Sequence, residues 1–177
     1  TWYQTTQQQF DTDDLQGAVT NPADDVRIAT SLTAATTTSS AIEFADVDTG
    51  NAWGELQFTD NESSGDIKYS LEYLVSGNEW ELVPDAVLSV NAAGCDTSGV
   101  SLANLDPILY HTLRIRAVLT GNDSLPRLQS WSLLWGERIE APVNQAPFDN
   151  AKSDTVTPVL IFSTVDPQAD TLQYEVQ

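Results

Sequence analysis

Methionine is absent from this chain, and cysteine occurs once, at Cys95. A single thiol closes no internal disulfide, so Cys95 reads as an inert small residue in a loop. That lack does not exclude export, because a core of this size needs no covalent staple. Histidine also occurs once, at His111. It shares the apolar parity of a strand with Leu113, the setting of a packed or edge residue rather than a catalyst. The sequence has no Gly-rich phosphate loop and no Cys/His metal cluster. No run approaches the roughly 20 apolar residues of a membrane span. No basic, apolar leader opens the chain, and with no initiator Met it reads as a processed protein or an excerpt of a longer one. Basic residues are scarce: 7 Lys and Arg against 26 Asp and Glu, a net charge of −19. Binding nucleic acid requires cations to neutralise phosphates, so that class of partner is excluded, and membrane insertion is not expected. A surface of one sign repels its own copies. Screening salt or bound calcium relieves that repulsion, so the expected setting is an external medium supplying one of them.

What remains is apolar enough to fold. The chain has 177 residues, 41% of them hydrophobic, with five Trp. That is about one domain, with length left over. The dominant signal is alternation, which places successive strand side chains on opposite faces. Leu113, Ile115, Ala117 and Leu119 share one face of a strand, with Arg114 and Arg116 on the other. After a turn over 120–126, Trp131, Leu133 and Trp135 share a face of the next strand, and the two read as a central hairpin. Ile67, Tyr69, Leu71, Tyr73 and Val75 form the cleanest row, and Glu72 on its far side is placed to pair with an outward Arg. Strands with one apolar face need a second layer, which implies an antiparallel β-sandwich of about eight strands without helices.

The other segments are less regular. Residues 1–10 read as a first strand anchored by Trp2 and Phe10, and the Thr/Ser/Ala run over 30–41 as a loop or exposed edge strand. The acidic segment Asp46 to Asn51 reads as a turn before a cation site, because its Gly falls one position early for a calcium loop. Trp53 has the wrong parity for the core of its strand, opposite Leu56 and Phe58, and Trp80 sits beside the Pro84–Asp85 turn. Both are therefore expected to be exposed, a carbohydrate-binding pair able to stack on sugar rings.

Ile67, Tyr69, Glu72, Tyr73, Trp80, Pro84 and Asp85, then Leu102, Leu105, Tyr110, Leu113, Arg114 and Ile115, then Pro126, Leu128 and Trp131 together resemble a jelly-roll (galactose-binding-like) repeat of large bacterial and archaeal surface proteins. The resemblance covers most of residues 1–140 and implies an all-β jelly-roll sandwich at a cell surface. It implies no activity, since a structural motif fixes a fold rather than a reaction. Residues 141–147, Ala-Pro-Val-Asn-Gln-Ala-Pro, read as a stiff, strand-breaking linker. Beyond it, Asp166, Pro167, Asp170, Leu172 and Tyr174 resemble the opening of a fibronectin type III-like or cadherin-like repeat. Residues 148–177 are thus an incomplete immunoglobulin-like segment. So few strands cannot form a sandwich alone; either the chain continues elsewhere or another copy completes the segment by strand addition. The resemblance also implies a calcium site at this junction, with Asn144, Asp149, Asp154, Asp166 and Asp170 as ligands.

These readings converge on a structural or adhesive module of an extracellular surface protein or self-assembling layer, without enzymatic activity. The expected partners are copies of itself or neighbouring domains. The alternative is a carbohydrate-binding module of a larger secreted protein, with glycans as ligands.

Overall fold

A computed structural model describes residues 1–44, 51–121 and 126–137, together with the backbone of two short strands at 143–146 and 161–163. Among the described residues strand accounts for 54% and helix for 3%, an all-β fold. Among the described residues twelve strands precede residue 138: β1 (Trp2–Gln4), β2 (Asp14–Gln16), β3 (Ala18–Asn21), β4 (Asp25–Ile28), β5 (Ala34–Thr38), β6 (Ile42–Glu43), β7 (Asn51–Asn61), β8 (Asp66–Ser76), β9 (Glu79–Leu82), β10 (Val100–Ser101), β11 (Thr112–Thr120) and β12 (Arg127–Glu137). One antiparallel sheet has the order β10-β7-β12-β4-β3, with β1 also on β12. The second runs β2-β5-β11-β8-β9, with β6 also on β11. The two pack as a sandwich.

The alternation in β8 and β11 translates directly into a core. Leu119 faces Ile67, Ala117 faces Tyr69 and Ile115 faces Leu71 across the ladder, and all six are fully buried. On the other face of the same ladder Arg114 lies opposite Glu72 and pairs with it, Nε to Oε2, at 2.6 Å. The β8 row leaves the core at its end: Tyr73 is half-buried and Val75 is exposed, where the pairing with β9 shifts register after Leu74. Cys95 is buried and free, bridged to the backbone of Tyr69.

Four expectations are corrected. The strands β11 and β12 do not form a hairpin. They lie in opposite sheets, because alternation identifies an apolar face but not the strand beside it. The Thr/Ser/Ala run is not an exposed edge: β5 sits between β2 and β11, with Thr37 and Ser39 buried. Ser39 Oγ accepts from the Ile115 amide at 3.0 Å, and β-branched Thr suits a pleated surface despite its low hydropathy. The first ten residues contain one helical turn, α1 (Gln7–Phe10), in which Gln9 Oε1 accepts from the amides of Thr5 and Thr6. Its last residue, Phe10, is fully buried, with its ring 6.1 Å from that of Trp131. Finally, residues 143–146 are not strand-breaking: β13 (Val143–Ala146) pairs antiparallel with β14 (Ile161–Ser163). The chain divides into two units, Thr1–Gly136 and Glu137–Gln177.

Candidate functional site

Trp53 does not offer a sugar platform. It is 1% exposed, and its indole N–H donates to the Tyr110 carbonyl at 2.9 Å. The rings of Phe44 and Trp135 enclose it edge-on at 4.7 and 5.6 Å. Alternation fails because its phase slips between Trp53 and Leu56, both of which face inward. Gly54 lies in that interval, where a Cβ would come within 3.2 Å of the Leu134 carbonyl oxygen. Strand glycines commonly mark such irregularities. Trp80 is half-buried on β9 of the other sheet. The Arg114 guanidinium lies 4.3 Å from its ring centroid, so one face of the indole is already occupied by a cation–π contact. The two tryptophans form no common site.

His111 is exposed, with Nδ1 3.1 Å from the Thr112 hydroxyl. Among the described residues no group of three His, Cys, Asp or Glu is arranged to hold a metal ion. Asp149, Asp154, Asp166 and Asp170, the acidic segment 45–50 and the side chain of Asn144 lie outside the described residues.

A different aromatic marks the strongest site. In β1, Trp2 and Gln4 turn inward, so Tyr3 between them turns outward and is 60% exposed. It lies opposite Ser132 of β12. On that outer face β12 lines the cleft with Ser130 and Ser132, whose small side chains leave a trough between β1 and β7. Two strand spacings make this trough about 10 Å wide. Gln57 and Thr59 of β7, with Thr5 and Ser98, complete the lining of a cleft of about 210 Å³. Ser98 is fixed there because its Oγ accepts from the Phe58 amide at 2.9 Å. Apart from the Tyr3 phenol, none of the described side chains lining the cleft is ionisable. Gln57 Nε2 donates to Glu55 Oε2 at 3.0 Å. The cleft therefore offers an open ring, hydroxyls and an amide, without a net charge of its own.

The cleft rests on a buried polar anchor. Gln4 is 4% exposed and accepts a hydrogen bond from the Trp131 indole N–H. Its Nε2 donates to the Gln9 carbonyl and to Asp13 Oδ1, each at 2.9 Å. Asp13 Oδ2 is buried without a partner. Burial accordingly pushes this carboxyl from 3.8 up to about 7, against the opposing effects of the Gln4 amide and the Ser40 backbone. No sequence signal identified this group, because Asp13 stands within an ordinary acidic turn.

No family model, no curated protein and no solved structure matches this chain.

Proposed function

We propose that this chain is an adhesive and structural module of an extracellular surface protein, and that it adheres by holding uncharged carbohydrate in the Tyr3 cleft. The carrying observation is the composition of that cleft: hydroxyls, an amide and an exposed tyrosine ring on a chain of net charge −19. Sugars are recognised by an aromatic face under the C–H side of the ring and by neutral donors and acceptors at its edges. A neutral trough also spares such a ligand the desolvation of fixed charges. We read the sandwich as a jelly roll, supported by the chain's frequent passage between sheets, as from β6 to β7, β7 to β8 and β11 to β12. The acidic surface fits an external medium in which salt screens repulsion between neighbouring modules.

The test is a glycan array probed with the chain and with Tyr3→Ala. Binding should be confined to neutral glycans and fall about tenfold without the ring, the equivalent of about 1.4 kcal/mol of stacking. An array on which both proteins give the same pattern would remove the cleft from the account. A blank array, with ordered assemblies seen by electron microscopy, would leave a purely structural module.

A further inference from the structure

The outer face of the other sheet carries a second cavity, and its chemistry is opposite. Arg27 pairs with Asp25, Lys68 with Asp66 and Asp96, Arg114 with Glu72, and Arg127 reaches Asp25. Arg116 alone has no acidic partner among the described residues, although the chain holds 26 acidic side chains. It is half-buried in β11, level with Ser70 of β8 and Thr38 of β5. It borders a cavity of about 190 Å³ whose other walls include Ser70, Val118, Leu82 and the turn Ala92–Gly94.

That turn is held rigidly. Asn91, fully buried, accepts from the Leu71 amide at 2.7 Å and donates to the Leu71 and Val83 carbonyls. Cys95 exchanges both backbone hydrogen bonds with Tyr69 at 2.7 and 2.9 Å. Between them Gly94 adopts φ +85°, and a Cβ there would fall 2.6 Å from Lys68 Cβ. Only a glycine lets the turn lie this close. The small side chains of Ala92 and Ala93 then leave space above Arg116 that larger residues would fill.

We propose that this pocket binds a small organic carboxylate of the hexuronic-acid class. The Arg116 guanidinium supplies the fork that matches a carboxylate, and Ser70 lies level with it on the same face. The apolar walls of Leu82, Val118 and the two alanines take the body of the ring. A single charge is favoured over a phosphate dianion, since of the two cations lining the cavity Lys68 is already held by Asp66 and Asp96 and only Arg116 is uncommitted. This site is separate from the Tyr3 cleft and does not depend on that reading.

The experiment is a titration of the isotope-labelled chain with sodium glucuronate, glucose and inorganic phosphate at constant ionic strength, followed by amide NMR shifts. Glucuronate should give saturable shifts confined to Ser70, Ala92, Ala93 and Gly94. Arg116→Gln should weaken this at least tenfold, Arg116→Lys should retain part of it, and Tyr3→Ala should leave it unchanged. Both Arg116 variants should keep the parent's dispersed spectrum, because the side chain lies outside the core. Equal responses to glucose or phosphate would overturn the proposal, as would glucuronate shifts surviving in Arg116→Gln. So would loss of self-association in Arg116→Gln without any glucuronate response, which would assign the pocket to a second copy of the chain.

Discussion

Replacing Asp13 by asparagine should remove a pH dependence that the fold builds into its first turn. The carboxyl moves from 3.8 to about 7 on folding, chiefly through burial. At about 1.4 kcal/mol per pH unit this corresponds to about 4 kcal/mol between its neutral and charged forms. The side chain retains some solvent contact, and screening reduces the effective figure to about 2 kcal/mol. The direction follows from linkage. A folded-state value above the unfolded one means that the native chain holds the proton more tightly, so this contribution is fully present below about pH 4 and is lost as pH rises through about 7. Between pH 5 and pH 8 rather more than half is lost, about 1–1.5 kcal/mol, or roughly 0.5–1 M in the urea midpoint. The Asp13→Asn variant leaves a buried amide short of a partner and costs about 1–3 kcal/mol, but that offset is the same at every pH. Urea unfolding of both chains at pH 5, 6, 7 and 8 separates slope from offset. Parallel midpoints across that range would refute the assignment, whatever else in the acidic chain titrates.

Other substitutions test the packing. Trp53→Ala should cost about 3–5 kcal/mol by opening a cavity among Phe44 and Trp135; calorimetry would show it as a fall in Tm, whereas an exposed platform would leave Tm unchanged. Asn91→Ala removes the bonds at the Leu71 amide and the Val83 carbonyl and should cost about 2–4 kcal/mol in urea unfolding. Gly65→Ala places a Cβ 2.6 Å from the Thr120 carbonyl oxygen and should lower soluble expression and Tm together, since backbone rather than a mobile side chain must give way. Arg114→Ala and Glu72→Ala should each cost only about 1 kcal/mol, with a coupling in the double mutant of similar size, because the pair is partly solvated.

The readable part of the fold was the part set by local alternation. Tyr69, Leu71, Ile115 and Leu133 are buried as their parity requires, and Glu72 meets Arg114 because both sit on the far side of neighbouring strands. Partner choice was not readable. Nothing in β11 or β12 alone states that they belong to opposite sheets, and nothing in a Thr/Ser run announces a central strand. Trp53 was misplaced for a physical reason: a two-residue period has no memory across a slip at a glycine. The Tyr3 cleft needed register as well as parity. Its signal was present in the outward Tyr3, Ser130 and Ser132, but only pairing across β12 brings them together. Arg116 was visible as an outward residue, while its isolation from acidic partners depended on where every described carboxylate folded.

The two observations on the first strand are connected, and the connection is itself testable. With three residues, β1 has few ladder bonds of its own. Its position is fixed by Trp2, whose ring lies 6.5 Å from that of Trp131, and by Gln4, which joins Trp131 to Asp13. Tyr3 points into the cleft because the residues on either side of it are held inward. Ionising Asp13 places a charge beside an oxygen without a partner, and movement of that carboxylate toward water draws on the same Gln4 amide that seats β1. Affinity for a neutral glycan should therefore fall as pH rises from 5 to 8, by a few-fold if part of the roughly 1–1.5 kcal/mol linkage reaches the strand. The ligand carries no titrating group, so the change must originate in the protein. The Asp13→Asn substitution should abolish it, and an equal pH dependence in both chains would show that Tyr3 is held independently of Asp13.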